Sequence, residues 1–496
     1  IEAGIPRDNG WSTGVSVVDI NNDGLLDIYV CRVGEFEPLH SRNQFLINQG
    51  LNKNGVPQFV DKAKEYALDF KGFSTQATFF DYDNDGDLDM LLINHSMHES
   101  GSYVPAVDFK KRFNELSGDR LYRNDGNIFT EIKDAGISPN AGYGLGVALS
   151  DINLDGYTDI YIANDFQEND YLYINQHNGS FKEDSDSATM HTSQFSMGVD
   201  VADANNDAWP EVITTDMLQS DPYMLKRSLG EDAYDVFNYK INYGYSHQYS
   251  RNNLQYNRRR GVFSELGLYS NVYNTDWSWA SLWMDFDNDG LKDLFISNGI
   301  PKRLNDIDYI NFYSSAEVQV ELRNNNLNDV HMSLIQKFPE IRLPNHFFKN
   351  TGNFQFSDEA KNIENNIPTF SNGAIYADLD NDGDLDLVVN NIDNPVLLYE
   401  NKSIDSIRQA SVQLILKGPA NNINAIGARA IVYSEDQIRT YEKFGARGFL
   451  SSMEIPVHIG LVNTKVDSIL LVWPDNTYQR IENFNDTGFL SLTYRG

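Results

Sequence analysis

Thr78 to Asn94 reads TFFDYDNDGDLDMLLIN. Asp81, Asp83, Asp85, Asp87 and Asp89 crowd into nine residues between two apolar runs. Like charges about 4 Å apart repel by about 1 kcal/mol per pair even in water, and by more near a protein surface, so something must offset them. The stretch is one of six copies. The others are DINNDGLLD from Asp19, DINLDGYTD from Asp151, DANNDAWPE from Asp203, DFDNDGLKD from Asp285 and DLDNDGDLD from Asp378.

The repeat extends beyond the acidic loop. Eight residues before each first aspartate stands an aromatic, Trp11, Phe73, Tyr143, Phe195, Trp277 or Phe370. After each loop comes an apolar run such as MLLI or LFIS, then a third signal of the type RLYRN, YLYIN or HFFKN. Five units add a fourth signal built on Phe, for example NIFTEI or GVFSEL. Short apolar runs bounded by tight turns read as strands. Four antiparallel strands per unit, repeated with glycine-rich punctuation, predict an all-β fold, a β-propeller over residues 1–401.

The opening IEAGI matches the close of TEIKDAGI, so it reads as the last strand of a unit whose beginning is absent. Either it completes the sixth unit in a six-bladed ring or an upstream blade precedes it; seven blades in the intact protein are expected. An insert at about 217–252 is rich in Tyr and charge and one at 306–338 has helix-like spacing of apolar residues; both should project as loops with helical turns, of the kind that commonly carries recognition. From 402 to 496 the pattern changes to alternating strands, SVQLILKG, GARAIVYS and SILLVWP, which predict a separate small β-sandwich.

Positions 1, 3, 5 and 9 of each loop carry oxygen ligands, and position 6 is Gly in five copies, which lets the chain turn so that they converge. The expected side-chain ligands are Asp19, Asn21, Asp23 and Asp27; Asp81, Asp83, Asp85 and Asp89; Asp151, Asn153, Asp155 and Asp159; Asp203, Asn205, Asp207 and Glu211; Asp285, Asp287, Asp289 and Asp293; and Asp378, Asp380, Asp382 and Asp386. Backbone carbonyls of Leu25, Asp87, Tyr157, Leu291 and Asp384 should add an oxygen each. Flexible oxygen-only sets select calcium. The fourth loop is the poorest, with Ala208 for Gly, Pro210 and Glu211, so five to six calcium sites are expected. An EF-hand needs Glu at position 12; here Val30, Leu92, Ile162, Thr214, Ile296 and Val389 stand there, and that reading fails.

The 496-residue chain has a formal net charge of −32, which argues against nucleic acid and anionic membrane surfaces as partners. Its one cysteine, Cys31, forms no intrachain disulfide and reads as a buried bystander. No run reaches the roughly 18 apolar residues of a membrane span. Extracellular calcium modules bind at roughly 10⁻⁴ to 10⁻³ M, too weakly for resting cytosol, which points outside the cell.

Strand, D-x-[DN]-x-D-G-x-x-D, strand, then LYxN resembles the FG-GAP or VCBS repeat family. The tail GARAIVYS to WPDNTYQ resembles the ASPIC/UnbV domain that follows such repeats, with WPDN, Trp473 to Asn476, where WPDG is usual. The combination is similar to exported VCBS-repeat lipoproteins of Bacteroidota. That resemblance implies the outer face of the bacterial outer membrane, a lipid anchor at the N-terminal side and a SusC/SusD-like TonB-dependent transporter as partner.

The expected function is therefore a non-catalytic, calcium-stabilised surface module that captures a glycan or peptide ligand or docks to a transporter. The alternatives are a glycan-active lyase or hydrolase on a propeller scaffold and a cell-adhesion protein. No HExxH, no G-x-S-x-G and no nucleophile pair appears, and no catalytic residue is assigned. Trp277, Trp279 and Trp283 read as core, Arg258 to Arg260 as a solvated hairpin, and His95, His98 and His191 as hydrogen-bonded loop residues. Tyr243 to Tyr249, YGYSHQY, is the best contact candidate.

Overall fold

The computed structural model describes residues 2–6, 10–34, 40–97, 104–111, 114–228, 230, 232–316, 318–320, 336–403, 411–434, 437–462, 465–482 and 488–496. It is a β-propeller. Five antiparallel sheets of four strands and a sixth of three follow one another along the chain, each in sequential order. In the second, Ser74–Phe80 pairs with Asp89–Asn94, which pairs with Arg120–Asn124 and then Phe129–Glu131. The acidic loop of every unit joins its first strand to its second.

The first strand of each unit is innermost, and these strands touch their neighbours in chain order from Trp11–Val18 to Ser371–Ala377. Second strands such as DMLLIN are buried along their whole length, because both faces pack between blades. That is why they read as continuous apolar runs and not as alternating ones. Trp283 is 1% exposed within this packing, Cys31 is buried, and burial pushes the Cys31 thiol upward.

Residues 2–4 do not complete the sixth sheet. Ala3 accepts the N–H of Phe59 at 2.9 Å on the outer strand of the first blade, as Ala135 accepts that of Phe181 at 2.7 Å on the third. In both places the AGI motif lies against the outer strand of the blade that follows it and forms no outer strand itself.

Both inserts connect second to third strands, at the ends of the blades away from the acidic loops. They contain the helices Pro222–Arg227, Tyr234–Asn242 and Ile307–Tyr313. Asp221 and Asp306 cap the first and third of these, each accepting two backbone N–H groups. Residues 321–335 of the second insert and His98 lie outside the described residues. YGYSHQY is more tied down than expected: Tyr245 is buried, its hydroxyl donates to the Val104 carbonyl at 2.9 Å, and Gln248–Tyr249 pairs in parallel with Thr192–Ser193.

The C-terminal region packs two sheets around a common core that includes Leu414, Ala430, Ile469 and Trp473. One has Ser411–Lys417 between Val457–Gly460 and Gly488–Thr493; the other is built on Arg429–Ser434 and Ser468–Val472. This sandwich is not a separate body. Its hairpin, Ala446–Arg447 with Ser451–Ser452, enters the middle of the propeller, and Ser451–Ser452 stands between the inner strands of the first and sixth blades. Phe444 and Ala446 join the core of the first three blades, while Phe449 and Met453 join that of the fifth and sixth.

Candidate metal centres

All six acidic loops fold alike. The first-position carboxylate accepts the backbone N–H of position 6 at 2.8 to 3.2 Å, as Gly86 N–H meets Asp81 Oδ2 at 2.9 Å. Position 4 is left-handed in every copy, from Leu154 at φ 56° to Asn206 at φ 63°. In the fourth loop Ala208 adopts φ 76° where the other copies have Gly, so that loop closes despite its substitution. Its ligand set, Asp203, Asn205 and Asp207, makes the same internal hydrogen bonds as the first, third and sixth loops.

Positions 1, 3 and 5 converge. Carboxylate oxygens of Asp81, Asp83 and Asp85 lie within 4.8 Å of one another, as do those of Asp285, Asp287 and Asp289 and those of Asp378, Asp380 and Asp382. Position 9 sits behind them. Asp27, Asp89, Asp159, Asp293 and Asp386 each accept one N–H from position 2 of their own loop and one from the Asn that closes the third-strand signal, for example Asn124 to Asp89 at 2.8 Å. Glu211 accepts from Ala204 at 2.9 Å.

That third-strand Asn explains LYxN, a signal read from the sequence as strand only. Its side-chain amide donates to the carbonyl of loop position 2 in the preceding blade: Asn175 to Tyr82, Asn257 to Ile152, Asn350 to Ala204 and Asn401 to Phe286, at 2.7 to 3.0 Å. One residue thus ties two neighbouring acidic loops together.

Several of the clustered carboxylates are held out of water and close to one another. Burial pushes the Asp81 carboxyl up to about 7, with Asp85 and Asp83 acting in the same direction against the Gly86 hydrogen bond. Burial likewise takes Asp285 and Asp203 to about 7 and Asp384 to about 8, with neighbouring carboxylates adding to it. Asp83 Oδ1, Asp285 Oδ1, Asp287 Oδ1 and both oxygens of Asp384 are buried without a hydrogen-bond partner. Buried acceptors of this kind are costly unless a donor or a metal meets them. An oxygen-only set with spare carboxylate capacity fits calcium, with positions 1, 3 and 5 as its holders. Basic side chains answer part of the charge: Lys349 pairs with Asp287 and Arg429 with Asp151, and the His177 ring lies 2.8 Å from Asp155 Oδ2.

The C-terminal sandwich covers this face. Thr440 N–H donates to Asp203 Oδ2 at 3.0 Å and Gln413 Nε2 to Asp378 Oδ2 at 2.6 Å. His458 Nε2 donates to Asn288 Oδ1 at 2.6 Å, Ile423 N–H to Asn22 Oδ1 at 3.2 Å, and Asn476 Nδ2 to the Gly156 carbonyl at 2.9 Å. Sequence reasoning did not anticipate this cover. The available signal was the Asn at position 4 in five of six copies, which is not needed as a ligand.

Among the other residues singled out, Trp277 and Trp283 are buried and Arg258 to Arg260 form an exposed turn. His95 stacks between Phe73 and Tyr143, and His191 lies 3.4 Å from Glu265.

Residues 151–214 match the family model described as FG-GAP-like repeat, and residues 418–495 match that described as ASPIC and UnbV. No curated protein matches the sequence. Among solved structures the chain is similar to the exotype rhamnogalacturonan lyase YesX, at 10% identity and TM-score 0.35, covering 99% of this chain and 76% of that one. A Bacillus licheniformis rhamnogalacturonan lyase aligns at 10% identity and TM-score 0.34, over 99% of this chain and 76% of its own. A Trypanosoma rangeli sialidase in complex with sialic acid aligns at 10% identity and TM-score 0.36, over 93% and 68%.

Proposed function

We propose that this chain, a protein of FG-GAP-like repeats carrying an ASPIC and UnbV domain, is a non-catalytic, calcium-stabilised module that works outside the cell by presenting its insert face to a partner. The observation that carries the reading is the division of labour between the two ends of the blades. The acidic-loop end is taken up by the C-terminal sandwich. At the other end, the connections from second to third strands hold large side chains out of the core: Tyr234 is 78% exposed and Tyr223 66% on the first insert, Val107 62% in the second blade and Leu304 53% just before the second insert. Scattered exposed apolar residues need no explanation, but four on loops that share one end of the fold favour a contact surface.

Calcium supplies positive charge that holds the clustered carboxylates; the chain's own residues shape the loops and tie them to one another. The placement at the outer membrane and the transporter partner rest on the family resemblance. The described residues contain no helix long and apolar enough to cross a membrane.

The test is to purify the protein from its native membrane with and without Tyr223→Ser and Tyr234→Ser. A transporter that co-purifies with the parent and is lost from the double variant, with melting temperature unchanged, supports the reading. Turnover of a glycan by the purified chain, abolished by one carboxylate substitution outside the acidic loops, would overturn it.

A further inference from the structure

We infer that seating of the C-terminal sandwich and cation loading of the acidic loops are one linked equilibrium, with the fourth-position asparagines as coupling residues. This rests on the calcium reading above and goes beyond it: the metal is assigned a second task, locking one domain onto the other and holding the 446–452 hairpin in the propeller.

The argument starts from loop geometry. A docking group at position 4 is presented only while that residue holds its left-handed conformation, φ 57° at Asn22 and 56° at Asn288. Asn tolerates that region better than most residues, and its side chain is long enough to reach across. Asn22 accepts from the Ile423 N–H, Asn288 from His458, and Asn206 donates to Gln437 Oε1 at 3.3 Å. A first-position carboxylate serves both sides at once. Asp203 Oδ1 accepts from Asp207 N–H, and Asp203 Oδ2 accepts both Ala208 N–H of the loop and Thr440 N–H of the sandwich.

The cation holds positions 1, 3 and 5 together at their close spacing. When it leaves, the carboxylates repel and the loop relaxes, and both sets of docking groups move with it. The buried oxygens without partners, Asp285 Oδ1 above all, show where the compensation is required. Gly460 of the sandwich lies so close over Asp285 and Asn288 that a Cβ there would stand 2.1 Å from Asp285 Oδ2. Loading and seating therefore act on the same atoms.

Linkage then fixes the sign in both directions: the factor by which calcium tightens seating is the factor by which seating tightens calcium, so a variant that unseats the sandwich must weaken calcium. Asn22→Gly with Asn288→Gly removes two docking side chains while keeping a residue at ease with positive φ, so the loop backbone is not strained. His458→Ala removes a docking group from the sandwich side.

Calcium binding to the whole chain is measured by titration calorimetry, and amide exchange of residues 446–452 is followed by mass spectrometry with calcium and with EGTA. Expected are exchange at 446–452 that accelerates about tenfold or more in EGTA, ahead of any change at Asp89–Asn94, and calcium affinity about fivefold or more weaker in both variants. Exchange at 446–452 that ignores calcium, or affinity unchanged in both variants, overturns the coupling while leaving the calcium reading standing. Absence of calcium uptake by the parent overturns both. Global unfolding in EGTA leaves the variant affinities, measured in calcium, to decide.

Discussion

Gly448 and Val199 pair backbone to backbone in both directions: Gly448 N–H donates to the Val199 carbonyl at 3.0 Å, and Val199 N–H to the Gly448 carbonyl at 3.1 Å. A residue of the C-terminal sandwich thereby extends the inner strand of the fourth blade. Gly448 has φ 67°, and a Cβ there would meet Leu282 Cδ2 at 3.0 Å and Ser281 O at 3.3 Å. Gly448→Ala should cost about 1–3 kcal/mol from the left-handed backbone and the tight contact together. Urea unfolding of parent and variant in saturating calcium checks this; a loss within experimental error would show that the hairpin is not seated as described.

Beside that contact, Arg447 Nη1 meets Asp200 Oδ1 at 2.9 Å, with the Asp200 side chain 1% exposed. Asp200 also accepts from Trp283 N–H at 2.8 Å, so it fastens the fourth blade, the fifth and the hairpin at one carboxylate. Arg447→Ala leaves that charge buried and unpaired, at an expected cost of about 3–5 kcal/mol. The double variant with Asp200→Asn should recover part of the loss, and a double-mutant cycle measures the coupling.

What the sequence made legible was local. Six copies of one hairpin fixed the blade, and the 1, 3, 5 spacing in DYDNDGDLD identified the oxygens that converge. The docking of the sandwich was invisible, because Thr440 and Asp203 are far apart in the chain and neither carries a pattern that names the other. The hairpin FGARGFLSSME was unreadable for a related reason. Its burial comes from filling a channel whose walls belong to other blades, so no period of 2 or 3.6 marks it. Position 9 carries a second task that its spacing did not announce: Asp89 accepts the Tyr82 and Asn124 N–H groups and so ties its loop to the third strand.

Asp119 offers a pH test away from the acidic loops. It is 1% exposed, accepts from Asn94 N–H at 3.0 Å and Asn140 Nδ2 at 2.7 Å, and burial pushes it up to about 7. An unfolded aspartate titrates near 3.9, so between about pH 4 and 7 the folded chain binds the extra proton. The stability it contributes is full below about pH 4 and is lost as pH rises through 7. Asn43, Asn252 and Asn345 make the equivalent bond in other blades, which shows that the amide fits. Asp119→Asn should therefore be more stable than the parent by roughly 2–4 kcal/mol at pH 8, with the gap closing toward pH 5. Unfolding free energies across that range, at fixed saturating calcium, decide it.

Asp83→Asn should change sign with the metal. Asn already occupies this third position as Asn21, Asn153 and Asn205, each accepting the position-5 N–H at 3.0 to 3.1 Å, so the loop geometry survives the substitution. In EGTA the variant removes a carboxylate that Asp85 and burial both oppose, and it should melt above the parent, by about 1 kcal/mol. In millimolar calcium the same change deletes a charged ligand from the second loop, and the order should reverse, with weaker binding at one site and an unchanged number of others. Two melting curves per protein, with and without the ion, are enough to see the crossing. A variant that is less stable under both conditions would mean that Asp83 serves packing and holds no cation.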